Sequence, residues 1–160
     1  MNKGELTFFC GKMGAGKSTK AREIAQASNV VLLSEDEWLE ALYPYTISSL
    51  EDYIKYSALL KPQMKKLVQS ILTAGTNVVM DFPANTIKQR DWFKGIFSEI
   101  QAPHKLIYID LTDDVCKEQI AKRRTEQPEM RATDTEDMFE KVTRYFVPPT
   151  SDEGFNITVL

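Results

Sequence analysis

Eight residues, Gly11-Lys12-Met13-Gly14-Ala15-Gly16-Lys17-Ser18, constrain this chain more than any others. They satisfy the pattern G-x-x-x-x-G-K-[ST] without adjustment. Glycines let a backbone curl until successive N–H groups point inward and form a nest for an anion. The nest needs a strand that delivers it and a helix that leaves it, because the positive end of the helix dipole then faces the anion. Both flanks are present. Leu6-Thr7-Phe8-Phe9-Cys10 reads as a short buried strand, and Ser18 to Ala27 reads as a helix. The residue types point to nucleotide binding by positions 11 to 19. Lys17 reaches the β- and γ-phosphates, Ser18 offers a hydroxyl to Mg²⁺, and Thr19 completes the run.

The rest of the pattern agrees with such a fold. Further short apolar runs, Val30–Leu33, Val78–Met80, Leu106–Ile109 and Ile157–Leu160, read as strands covered on both faces. Helical stripes lie between them. Met64, Leu67, Val68, Ile71 and Leu72 form one, stopped by Gly75, and Phe93, Ile96, Phe97 and Ile100 form another behind a Thr86-to-Gln89 capping box. A third runs through Met138, Val142, Tyr145 and Phe146, capped at Thr133 and ended by Pro148-Pro149. Alternating strands and helices predict an α/β fold with a parallel sheet. One domain over 1–160 is expected.

Composition narrows the partners. Twenty lysines and arginines against 23 aspartates and glutamates give a net charge of −3, so a duplex-binding basic face is not expected. Cys10 and Cys116 form no Cys-x-x-Cys pair, and lone His104 completes no familiar zinc spacing with them. They read as reduced, buried thiols of a cytoplasmic protein, and His104 as a strand-edge residue. No apolar run reaches the roughly 18 residues of a membrane span.

Candidate chemistry gathers at the carboxyl ends of the strands, where open α/β sheets place their ligands. The second strand ends in Ser34-Glu35-Asp36-Glu37-Trp38. Asp36 is positioned to take a proton from an attacking hydroxyl; alternatively, three acids there suit the first turn of a helix. The third strand ends at Asp81, which could hold an acceptor hydroxyl, bind Mg²⁺ through water, or cap the following helix.

Strand, phosphate loop and a second strand ending in Ser-x-Asp together resemble the small P-loop kinases: polynucleotide kinase, zeta toxin, chloramphenicol phosphotransferase and gluconate kinase. The resemblance runs over most of the chain, to Pro148-Pro149-Thr150 and Glu153-Gly154-Phe155. It implies a three-layer fold with a five-stranded parallel sheet in the order 2-3-1-4-5. It also implies ATP and Mg²⁺ as cofactors, Asp36 as catalytic base, and Asp81, Asn85 and Arg90 near the substrate side. A lid over about 123–133 follows the fourth strand. It contains Arg131 and supplies Arg123 as the closing cation, with Gln119 standing where relatives often have a further arginine. A solvated, cationic helix end is the alternative reading of that stretch. Acceptor-side helices are expected over about 36–75, where Trp38, Tyr43, Tyr45, Tyr53 and Tyr56 cluster and Tyr43 is a candidate substrate contact. The expected activity is transfer of the γ-phosphoryl group of ATP to a hydroxyl of a small molecule, with Lys17, Asp36 and Arg123 as catalytic residues. A polynucleotide 5′-hydroxyl acceptor, or a nucleotide switch with little transfer activity, are the rivals. No nucleic-acid or membrane partner is expected.

Overall fold

The computed structural model describes residues 2–127 and 135–160. Five strands, β1 (Leu6–Cys10), β2 (Val30–Ser34), β3 (Asn77–Pro83), β4 (His104–Tyr108) and β5 (Ile157–Val159), form one sheet. Its order is β2-β3-β1-β4-β5 and every pairing is parallel. The expected fold class and strand order are therefore observed. Among the described residues six α-helices connect the strands: α1 (Lys17–Ile24), α2 (Glu35–Leu42), α3 (Leu50–Thr73), α4 (Ile87–Glu99), α5 (Asp113–Glu126) and α6 (Glu136–Thr143).

The alternation of β1 builds two cores. Leu6, Phe8 and Cys10 face α3 and α4, against Leu60, Met64, Val68, Leu72, Phe93, Ile96 and Phe97. Phe9 faces the opposite way with Val79 and Ile107, against Ala21 of α1, Cys116 and Ile120 of α5 and Phe139 of α6. All five residues of β1 are buried, which is why that strand reads as a continuous apolar run. Phe8 stacks on Phe93 with centroids 4.4 Å apart, and truncating a ring packed this way typically costs about 3–5 kcal/mol. This rigid center strand fixes where the loop after Cys10 can sit.

Several boundaries differ from the expectations. Helix α1 stops at Ile24, three residues short of Ala27, as the Gln26 and Ala27 N–H groups turn to carbonyls three residues back. Helix α6 is capped by Thr135, whose side chain accepts from the Met138 N–H, and it ends at Thr143. Tyr145 and Phe146 thus lie beyond the helix, which ends five residues before Pro148, the first of the prolines expected to end it. Thr133, Arg131 and the part of the lid from 128 to 133 lie outside the described residues. The Thr86–Gln89 capping box is present. Cys10 and Cys116 are free and buried. His104 sits at the start of β4, stacks on Phe97 at 3.8 Å and accepts the Asn156 N–H through Nε2. Among the described residues no helix is long and apolar enough to cross a membrane.

Candidate active site

The loop from Gly11 leaves the buried end of β1 and turns into α1 at Gly16, which adopts a left-handed conformation at φ 100°. Gly14 is also left-handed, at φ 83°, and it packs so tightly on α5 that a Cβ there would lie 2.7 Å from the Cys116 carbonyl oxygen. Only glycine combines that backbone conformation with that clearance. The Ala15 N–H closes the turn onto the Lys12 carbonyl at 3.0 Å. The Gly11 N–H is held by Asn85 Oδ1 at 2.9 Å.

Lys17 folds over this loop. Its ammonium donates to the Gly11 carbonyl, and to the Lys12 carbonyl at 3.4 Å. Burial holds the ammonium below its ordinary pKa, opposed chiefly by the charge of Asp81 and more weakly by that of Asp36. A cation that has lost part of its hydration and rests on neutral carbonyls gains strongly from an arriving anion.

Ser18, the first-turn residue after Lys17, donates its hydroxyl hydrogen to Asp81 Oδ2 at 2.6 Å. Asp81 reaches the loop because β3 bulges there. The β1–β3 register runs through Phe8↔Met80 and resumes at Phe9↔Pro83, leaving Asp81 and Phe82 as extra residues. Bulges re-aim side chains in this way beside functional sites. Of the three roles open to Asp81, the helix-cap one falls away. The α4 cap is built by Thr86 and Gln89, while Asp81 faces Ser18.

Asp36 is the second residue of α2, which starts directly at the end of β2 with Ser34 as its cap. Its charge bears on both Lys17 and Glu35. Glu35, next to it, lies in the acidic first turn of α2 as the pattern allows, and it is also buried at 1% exposure and accepts hydrogen bonds from Tyr53 and, at 2.7 Å, from Ser57 of α3. Burial pushes its carboxyl up; those two hydrogen bonds pull it back, Asp36 raises it further and Lys61 lowers it. Glu35 thereby clamps the helix carrying Asp36 onto α3. The only sequence signal for it was an acid four residues before Leu39 on the buried side of an amphipathic helix.

The other expected residues are spread more widely. Arg123 lies in the last turn of α5, and its Nε is buried with no hydrogen-bond partner among the described residues. Lys12 is tied to Asp113 of α5 at 2.8 Å and lies 5.6 Å over the Phe146 ring. Thr19 is on the exposed side of α1, where Arg22 reaches its hydroxyl at 3.5 Å. Gln119 is exposed on α5. Tyr43 ends α2, with its ring 4.5 Å from that of Tyr56 and packed on the core. The hydroxyl of Tyr53 is spent on Glu35, so the tyrosines of this segment are as much scaffold as wall.

Arg90 has no exposed surface, donates through Nε to Glu153 at 2.7 Å and through Nη1 to the Ala84 carbonyl at 3.0 Å. These bonds make a structural tie between α4 and the turn over Ser151–Glu153, while Nη2 is buried with no hydrogen-bond partner among the described residues. A buried guanidinium survives there because Glu153 pairs with it.

A sequence profile described as an AAA domain matches residues 6–149. No curated protein matches the sequence. Several solved structures share the fold. An unliganded sugar kinase from Janibacter sp. HTCC2649 is 16% identical with a TM-score of 0.66, covering 98% of this chain and 84% of that one. Kti12 of Chaetomium thermophilum, solved with ADP-AlF3, is 17% identical with a TM-score of 0.69, covering 97% and 88%. A chain of the Pnkp1/Rnl/Hen1 RNA repair complex is 18% identical with a TM-score of 0.63, covering 94% of this chain but 50% of that one.

Proposed function

The chain belongs to the AAA domain family, and from that premise we propose that it is an ATP-dependent phosphotransferase moving the γ-phosphoryl group to a hydroxyl of a small molecule. The observation that carries the reading is the convergence on one loop of two arrangements: the Lys17 ammonium resting on the loop's own carbonyls, and the Ser18 hydroxyl bonded to Asp81 at 2.6 Å.

Each side chain has a role set by its place. Lys17 exchanges two carbonyl partners for phosphate oxygens, so its charge is delivered without being stripped of water again. The loop amides hold the same oxygens. Asp36 receives the hydroxyl proton of the acceptor, held in place by the Glu35 clamp. Arg123 brings a cation with an unspent donor toward the transferring group. Ser18 and Asp81 offer adjacent hard oxygens, the kind of donor pair that Mg²⁺ accepts while keeping water and phosphate in its other positions. The ion, when bound, supplies charge neutralisation on the phosphates.

Kinases among the solved structures that share the fold, with a sugar kinase among them, support a hydroxyl acceptor. Likeness to a chain of an RNA repair complex favours the second reading, a polynucleotide 5′-hydroxyl, which the net charge of −3 does not. The test is ADP release over a panel of sugars, nucleosides, amino alcohols and 5′-hydroxyl oligonucleotides. Asp36→Asn should bind MgATP as the parent does and lose about 10²–10⁴ in transfer rate. Transfer confined to oligonucleotides, with salt-steep binding, would replace the small-molecule reading. No acceptor-dependent release would leave a nucleotide switch.

A further inference from the structure

Gly11, the first residue of the phosphate loop, is buried, and its N–H is held from outside the loop. The reason lies in the sheet. β1 and β3 pair regularly up to Phe8↔Met80, then slip by two residues, and their pairing ends at Phe9↔Pro83. Gly11 therefore lies past the end of that ladder. A buried backbone N–H without a partner is costly, and the Asn85 side chain takes it at 2.9 Å.

Asn85 is itself held on two further sides. Its N–H donates to Gln89 Oε1 at 2.8 Å, inside the α4 cap. Its carbonyl accepts the Val147 N–H, also at 2.8 Å. Val147 belongs to the arm that leaves α6, and its neighbour Phe146 lies beneath the Lys12 ammonium. One residue thus joins the first glycine of the loop, the start of α4 and the arm after α6. The other polar group of Gly11, its carbonyl, is held by Lys17. Once Lys17 turns to a phosphate, Asn85 is the side-chain tie that remains on Gly11.

We propose that Asn85 is a positioning residue for nucleotide, holding the entry of the phosphate loop in its nest geometry and linking it to the arm after α6. This rests on the nucleotide-binding reading above. It differs from the substrate-side place that resemblance implies for Asn85, since its bonds run to the loop and the arm.

The test is calorimetric titration of the full chain with MgADP, alongside the amide NMR spectrum, for the parent, Asn85→Ala, Asn85→Ser and Thr86→Ala. Both Asn85 variants should bind MgADP about five- to tenfold more weakly, the loss expected for one net hydrogen bond, with the Gly11 amide proton moved upfield. Serine is too short to reach Gly11 yet keeps a polar group, so Asn85→Ser carries the test if Asn85→Ala does not fold. Asn85→Asp keeps the acceptor and should return the Gly11 resonance. Thr86→Ala removes the α4 cap; it should lower the melting temperature and leave MgADP affinity within about twofold, because the loss of a cap destabilises the helix without touching the loop. Parent-like MgADP binding by both Asn85 variants, or an equal loss in Thr86→Ala, would make Asn85 only a part of the helix cap and overturn the proposal. Failure of the parent to bind MgADP would overturn the nucleotide-binding reading, and this proposal with it.

Discussion

Replacing Glu35 by glutamine gives a pH signature whose sign follows from the structure. Glu35 is 1% exposed, and it receives hydrogen bonds from Tyr53 and Ser57 of α3. Lys61 of α3 and Asp36 of its own helix are the charges that act on it. Burial dominates and raises its folded pKa. An acid with a raised folded pKa is most favourable to folding below its unfolded pKa, near 4.3 for glutamate. That contribution is lost as pH rises from there through the folded pKa. Each tenfold difference in proton affinity between folded and unfolded carboxyl is worth about 1.4 kcal/mol. Glutamine keeps the size and an acceptor but carries no proton equilibrium. Urea unfolding of parent and Glu35→Gln at several pH values should therefore show the parent losing ground to the variant as pH rises from mild acid. A parent that gains on the variant over that range, or a flat difference, would refute the argument from burial. Glu35→Ala makes a second check. It leaves the Tyr53 and Ser57 hydroxyls without their acceptor, at about 1–3 kcal/mol for each buried group. A loss of about 3 kcal/mol corresponds to a melting temperature roughly 6–12 °C lower in a chain of this size.

Gly14→Ala should lower stability and nucleotide affinity together. The left-handed backbone costs an alanine about 1–2 kcal/mol, and its Cβ would meet the Cys116 carbonyl oxygen and Ile120 Cγ1 at 2.7 Å, so α5 must shift; thermal melts and MgADP calorimetry would show both effects, and unchanged values would mean that the loop has another conformation. Asp81→Asn should raise the Mg²⁺ concentration needed for nucleotide binding by about tenfold while affinity for metal-free ADP does not fall, because it weakens one of two adjacent hard oxygens and removes a negative charge that acts on Lys17; ADP titrations with and without Mg²⁺ separate the two.

Much of this was legible along the chain because it depends on local chemistry. The loop announces itself through glycines that only a left-handed turn requires, and Gly14 and Gly16 adopt that conformation. β1 reads as buried because all five of its residues are. The Thr86 cap reads from two residues three apart. Patterns that depend on where a helix stops were less legible. Tyr145 and Phe146 continue the apolar spacing of α6, yet the helix ends at Thr143: Phe146 packs on Lys12 and Tyr108 without a helical backbone, and Tyr145 is exposed.

Roles that depend on a partner distant in sequence could not be read at all. Arg90 looks like a free cation until Glu153, 63 residues later, is seen to neutralise it inside the core. Glu35 reads only as one of three acids in a helix's first turn until α3 folds over it. Asn85 stands near the substrate side by resemblance, and its bond to the Gly11 N–H shows only once the β1–β3 register slips and leaves that N–H past the end of the ladder. Spacing and residue type established the strand–loop–helix unit and the parallel α/β arrangement, because short-range sterics, capping and periodicity act within a few residues. Packing assigned each polar side chain to the interior or to the site, because burial and pairing set the free energy of a charge, and both are properties of neighbours that the chain brings together only on folding.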